Sequence, residues 1–337
     1  MSSTAQGILI LLIAGVTNAS FTVPMKYARR WAWENIWLAW TFFALIVLPV
    51  VAVGITVPHL PMVYSAVKPS MLVKICGLGI GWGVAQVFFG LAVDLVGIAL
   101  TFSIVLGTSA AVGSLTPMLL LHRDRLNSAA GYAVFAAVAF VILGVLVCAA
   151  AGRMREKAIA PDTVQQKRVS VGLVLAILCG LGASFVNFAV AFGTPIVAVA
   201  RSLGADALYA TNAIWLPLML AGAVPNVLYC ALLLKRNRSV SRYREGRSYW
   251  ALALMMAVFW FGSTLLYGLA TAKLGAWGPI VGWPLFMSLI VVTASMLGIF
   301  TGEWKNTGTG PIRIQWTGVL LLVFAVFILA GSSQYLQ

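Results

Sequence analysis

Acidic residues are scarce in this sequence. Its 337 residues include eight Asp and Glu against 22 Lys and Arg, and charged residues make up 9% of the chain. A soluble domain solvates its surface with roughly a quarter charged residues, so a chain that is 61% hydrophobic implies a membrane protein and excludes a water-solvated fold. Histidine is nearly missing: His59 and His122 fall far apart, each at the end of an apolar run. There is no HExxH, no glycine-rich phosphate loop and no acidic pair at metal-ligand spacing. Neither an enzyme nor a metal or cofactor site is therefore expected. The four cysteines, Cys76, Cys148, Cys179 and Cys230, sit singly inside apolar runs without CxxC spacing, so they read as small core residues rather than a disulfide framework. No Lys or Arg precedes Lys26, so the first apolar run lacks the basic leader of a secretory signal and is expected to stay as a transmembrane helix.

What is abundant is long charge-free sequence. Cutting the chain at every Asp, Glu, Lys and Arg leaves ten intervals of 19 residues or more: 1–25, 35–67, 75–93, 95–122, 126–152, 169–200, 207–234, 248–272, 274–302 and 314–337. A bilayer core of ~30 Å takes about 20 helical residues, because backbone polar groups must bond to one another where water is absent. Each interval holds one such helix. Runs such as Leu173–Leu178 and Val319–Leu329 do not alternate in polarity, which excludes barrel strands. The fold class expected is therefore an all-α integral membrane protein with ten transmembrane helices. The loops after odd-numbered helices hold 16 of the 22 Lys and Arg. The positive-inside rule then puts those loops in the cytoplasm and both termini on the opposite, outer side of the membrane. The two richest basic stretches, 153–168 and 235–247, read as topology determinants beside the lipid bilayer, and no nucleic-acid partner is expected.

The basic stretch 153–168 also divides the chain into a five-helix repeat, 1–152, and a second, 169–337. With an odd number of helices per half, a repeat must be inverted across the membrane. Gly90-Leu91-Ala92 followed by Gly97 matches Gly268-Leu269-Ala270 followed by Gly275, with Phe89 and Tyr267 just before. Gly7, Gly15 and Ala19-Ser20-Phe21 match Gly172, Gly180 and Ala183-Ser184-Phe185 after a one-residue slip, and Phe140 to Gly144 matches Phe327 to Gly331. Small residues recur in membrane helices for packing alone, but three matches in one order point to an inverted repeat, the usual construction of secondary transporters.

Phe21-x-x-Pro24-x-Lys26, Trp31-x-Trp33-Glu34-x-x-Trp37 and Trp82-Gly83-x-x-Gln86-x-x-Phe89-Gly90-Leu91 carry a more specific resemblance. It continues through Leu208-Tyr209, Asn226 with Cys230, Trp283 with Met287-Ser288, and Glu303-Trp304-x-Asn306, covering nearly the whole chain. The sequence resembles the bacterial L-rhamnose–proton symporter family, a branch of the drug/metabolite transporter superfamily. The resemblance implies the drug/metabolite transporter fold and uptake of a small neutral sugar with protons as the coupling partner. An exporter or exchanger of another small metabolite, and a membrane sensor or scaffold that does not transport, are the competing readings; monomer and homodimer both stay open. One departure affects coupling: the resembled family has a histidine in the ninth helix where this chain reads Phe286, which cannot carry a proton.

A sugar offers an apolar ring face and a rim of hydroxyls, so its site needs aromatic plates and uncharged donors and acceptors. Asn18, Gln86, Asn187 and Asn212 are the amides deep in helices, and Trp82, Trp215, Trp260, Tyr267 and Trp283 the candidate plates. Trp82 and Gln86 are four residues apart, on one helix face, and Trp283 beside a Gly282-Trp283-Pro284 break would close the opposite side. Interhelical hydrogen bonding is the alternative role for each amide. Trp31, Trp33, Trp37 and Trp40 are expected at the membrane interface. Lys26, Glu34 and Asp94 lie at helix ends on the cytoplasmic side, where a Lys26 or Arg30 pair with Glu34 would form an inner gate and Glu34 or Asp94 would carry the proton.

Overall fold

The computed structural model describes residues 2–159, 169–302, 304–305 and 307–332. It is helical throughout, and the described residues include no strand. The helices are α1 (Ser3–Ala19), α2 (Trp33–Thr41), α3 (Leu48–Thr56), α4 (Leu60–Ala66), α5 (Pro69–Val96), α6 (Ile98–Leu121), α7 (Ala129–Ile159), α8 (Val169–Ala183), α9 (Phe185–Phe192), α10 (Thr194–Ser202), α11 (Asn212–Asn237), α12 (Ser248–Leu274), α13 (Gly278–Phe300) and α14 (Thr309–Ser332). Among the described residues nine stretches are long and apolar enough to cross a bilayer, and the longest, Ser248–Phe300, spans 53 residues. That stretch contains both α12 and α13, joined by a single 3-10 turn, Gly275–Trp277.

Glycine and proline set where these helices stop. Gly97 and Gly275 take positive φ values, 84° and 68°, as the residues that end α5 and α12. That backbone region is open to glycine without steric penalty. The first helix ends at Ala19, six residues before its charge-free interval does: beyond it the backbone bonds tighten, Phe21 N–H to Asn18 O and Val23 N–H to Ser20 O, and a 3-10 turn, Pro24–Tyr27, begins at the proline, which has no N–H to give. Ahead of Pro49 the chain widens into a π-helical turn, Phe42–Val47, between α2 and α3. The apolar run 169–200 is divided at Ser184 and again at Gly193. α7 runs seven residues past 152 into the basic stretch, of which 160–168 lie outside the described residues.

The break expected at Gly282-Trp283-Pro284 is absent: α13 is continuous from Gly278 to Phe300. A proline inside a helix leaves the carbonyl four residues earlier without its N–H partner, at a penalty of several kcal/mol in hydrocarbon. Here side chains of neighbouring helices fill that role. Ser114 Oγ donates to Ile280 O, the carbonyl freed by Pro284, at 2.5 Å. Asn187 Nδ2 donates to Gly113 O, freed by Pro117, at 2.8 Å. Tyr64 OH donates to Ala213 O, freed by Pro217, at 2.9 Å. The helices therefore continue through these three prolines, and each of the three becomes an attachment point for another helix.

Close crossings depend on small residues. α5 packs on α11 through Gly79 and Gly83, where a methyl group would overlap the carbonyl oxygens of Leu218 and Gly222. α7 and α14 meet through Gly144 and Gly318. Such contacts bring backbones together where lipid supplies no hydrophobic drive between helices.

Candidate functional site

Trp82 lies near the middle of the 28-residue α5, and Trp260 near the middle of the 27-residue α12. Their rings stack at 5.3 Å between centroids and 24° between planes. Room for Trp82 comes from Gly222 on α11, whose missing side chain leaves the indole against the helix backbone. Trp40 meets Trp260 edge-on at 5.3 Å and 80°. Trp37 follows Trp40 at 4.6 Å, and Trp33 stacks on Trp37 at 5.1 Å. Trp37 Nε1 donates to Asn226 Oδ1 at 3.1 Å. Trp31, Trp37 and Trp40 are only 5%, 8% and 1% exposed, so these three pack against protein rather than facing lipid. Trp33, Trp37 and Trp40 are spaced by four and three residues, so they share one face of α2, and that face turns inward to α11 and α12. This heptad-like spacing was the sequence signal for a buried aromatic row.

The polar candidates divide between levels. Asn18 Nδ2 donates to Ser263 Oγ at 2.8 Å, one turn along α12 from Trp260. Gln86 is half-buried one turn from Trp82, and among the described residues its side chain has no hydrogen-bond partner. Asn187, fully buried, uses its whole amide: Nδ2 donates to Gly113 O and to Pro279 O at 2.8 and 2.9 Å, and Oδ1 accepts from Tyr267 OH. Tyr267 also packs edge-on against Trp283 and stacks with Phe286, each at 5.3 Å. Trp283 Nε1 donates to Ser109 O at 2.9 Å. Asn212 Nδ2 donates to Thr56 Oγ1 at 3.0 Å, and Trp215, on the same helix, packs on Gly268. Trp82 and Trp283 thus attach to α12 seven residues apart, at Trp260 and Tyr267, about 10 Å along its axis.

At the basic end of the bundle, Glu34 is 4% exposed and its Oε1 accepts from Ser239 Oγ at 2.5 Å and Asn237 Nδ2 at 3.1 Å. The positive charge of Arg242 also acts on it. The next residue, Asn35, donates to Ser239 O at 3.0 Å, and Tyr243 OH donates to Asn35 O at 3.1 Å. Burial pushes the Tyr243 hydroxyl up to about 12, which keeps it a neutral donor. Trp31 Nε1 donates to Glu245 O at 2.8 Å, inside a ring of Tyr243, Tyr249 and Trp250. The start of α2 is in this way fastened to the 3-10 turn Ser239–Arg244 that follows α11. Lys26 and Asp94 are both exposed, and Asp94, near the end of α5, acts electrostatically on Tyr229 of α11. Glu303 and Asn306 lie outside the described residues.

Apolar spanning helices, an aromatic stack at mid-length and a buried carboxylate held by neutral donors define a multi-pass helical membrane protein of transporter type. More particularly, the chain belongs to the family of the L-rhamnose-proton symport protein (RhaT), whose model matches residues 1–333. It is 28% identical over 335 residues to an L-rhamnose-proton symporter of Mannheimia succiniciproducens, with 97% of each chain covered. Proteins of the same description from Shigella sonnei and Escherichia coli O1:K1 are 26% and 25% identical over 336 residues, again with 97% of each chain covered. These relatives are named as transporters rather than enzymes.

Proposed function

We propose that this protein carries L-rhamnose or a related small neutral monosaccharide across the bacterial inner membrane together with protons, by alternating access of two five-helix halves. The observation that carries the reading is the Trp82–Trp260 stack. Trp260 stands 178 residues after Trp82, the same offset that relates Gly90 to Gly268 and Gly97 to Gly275. Equivalent residues of two inverted repeats meet only near the axis that relates them, at mid-membrane, where such transporters bind substrate. Packing supports the same symmetry. Gly7 of α1 lies against α12 as Gly172 of α8 lies against α5, and Gly15 faces α13 as Gly180 faces α6.

In this reading there are ten membrane helices, with α2 and α3 forming the second, α8 and α9 the sixth, and α12 and α13 the eighth and ninth. The halves are 1–152 and 169–337, arranged as in the drug/metabolite transporter superfamily. Trp82 and Trp260 supply the aromatic face for the sugar ring, and Gln86 and Asn18 polar contacts beside it. Asn187, Asn212, Tyr267, Trp215 and Trp283 hold the helices together beyond that level, away from the basic end. Glu34 or Asp94 carries the proton, and Glu34, with the 3-10 turn after α11, forms the gate at the basic end, where Lys26 also lies.

Counterflow of labelled L-rhamnose in proteoliposomes tests the transport reading, and absence of binding or flux for every monosaccharide would end it. Phe286 favours a second reading for coupling, because its ring stacks on Tyr267 where the resembled family carries a titratable histidine. Under that reading transport is uncoupled facilitation. Accumulation driven by an imposed pH gradient, lost in Glu34→Gln or Asp94→Asn while exchange persists, supports symport. Accumulation that survives both substitutions removes the two carboxylates as proton sites.

A further inference from the structure

Trp40 and Thr41 end α2, just before the π-helical turn Phe42–Val47. Both are buried, at 1% and 0% exposure, yet Trp40 Nε1 and Thr41 Oγ1 have no hydrogen-bond partner. Neighbouring polar groups on this face of α2 are satisfied: Glu34 and Asn35 bond to Ser239, and Trp37 to Asn226. Thr41 follows Trp37 by one turn, so it faces the same helix, α11, one turn along from Asn226 and towards Gly222, against which Trp82 lies. Trp40 touches Trp260 directly. Two unmet polar groups therefore stand at the level of the central stack. π-helical turns re-aim side chains and recur at functional sites, and an orphaned buried donor costs about 1–3 kcal/mol, a penalty that a bound hydroxyl removes.

We propose that Trp40 Nε1 and Thr41 Oγ1 form the polar corner of the substrate site and hydrogen-bond the hydroxyl rim of a monosaccharide whose apolar face lies on the Trp82–Trp260 pair. This rests on the sugar-transport reading. The indole N–H donates to a sugar oxygen, while the threonine hydroxyl both donates and accepts, so the pair discriminates between a ring hydroxyl and its deoxy counterpart.

The test compares wild type with Thr41→Val, Thr41→Ser and Trp40→Phe by L-rhamnose-induced thermal stabilisation and counterflow. Thr41→Val and Trp40→Phe should weaken the apparent affinity about threefold to tenfold, with Thr41→Ser close to wild type. The empty protein should lose no stability in Thr41→Val, because the hydroxyl removed has no partner to lose; a structural hydroxyl would move stability the other way. Among 2-, 3- and 4-deoxy analogues of L-rhamnose, the one lacking the hydroxyl that meets Thr41 should bind wild type and Thr41→Val alike. Wild-type affinity in both Thr41→Val and Trp40→Phe overturns the inference while leaving sugar transport standing. A destabilised empty Thr41→Val protein overturns it too, as does a panel in which every analogue still separates wild type from variant. No response of wild type to any monosaccharide removes the transport reading and the inference together.

Discussion

Asn187 ties α9 to α6, α12 and α13 through three hydrogen bonds, and its removal has consequences that can be worked out bond by bond. Asn187→Leu keeps most of the side-chain volume and deletes all three. Gly113 O then has no donor at all, because Pro117 cannot supply the helical one. Tyr267 OH loses its acceptor in a fully packed environment. Pro279 O is affected less, since α13 is continuous and Trp283 N–H lies one turn ahead. Interhelical hydrogen bonds in membranes average about 0.6 kcal/mol and reach about 1.7, while an abandoned buried group costs about 1–3 kcal/mol. The expected loss is about 2–4 kcal/mol, read as a fall in Tm in detergent of roughly 2 °C for each kcal/mol. A second substitution isolates the proline contribution. Pro117→Ala restores a backbone N–H aimed at Gly113 O, so in that background Asn187→Leu should cost about 1 kcal/mol less. Equal costs in both backgrounds would refute the claim that Asn187 replaces the missing backbone donor. An Asn187→Leu protein with unchanged Tm but no sugar response would instead make Asn187 a direct substrate ligand.

Because Trp82 and Trp260 form one stack, Trp82→Phe and Trp260→Phe should weaken sugar-induced stabilisation by similar factors, and the double variant should cost less than the sum; strict additivity would count against a shared site. Gly79→Val drives side-chain atoms into the Leu218 carbonyl, so α5 and α11 must separate, at a cost of about 1–3 kcal/mol or more, seen as a reduced yield of monodisperse protein. Gly90→Val is its control, since nothing lies within 4 Å of the position where a Cβ would stand. A reporter active only in the cytoplasm, fused after Gln337, should be silent if the 16-to-6 basic bias sets the orientation. A bright signal reverses the side on which Glu34 opens.

Much of the fold is local and was legible in the chain itself. Charge-free runs mark spanning helices because hydrocarbon admits few charges and no unpaired backbone, and each such run needs only its own composition to be recognised. The stops at Gly97 and Gly275 could likewise be read from the repeated Gly-Leu-Ala segments, since a positive φ at the end of a helix comes without penalty only to glycine. Prolines were less legible. Pro284 looked like a break, yet whether a helix continues depends on a donor for the freed carbonyl, and here that donor is Ser114, 166 residues earlier in the sequence.

The site shows the same division. Tryptophans, deep amides and Glu34 were recognisable as unusual residues for a membrane helix, and family membership follows from the sequence over nearly its full length. Which of them meet was not recognisable. Trp37 and Trp40 stood near a boundary in the sequence and in the bundle are buried, because the face of α2 that bears them turns inward, a rotation set by α11 and α12. Trp82 found Trp260 rather than Trp283, since Gly222 leaves space for its ring against α11. Glu34 took Ser239 and Asn237 as partners from the far half of the chain. Composition and periodicity act within one helix and so determine that helices form and span. Partner choice depends on the rotation and crossing of each helix against its neighbours, which arises only when all of them pack at once.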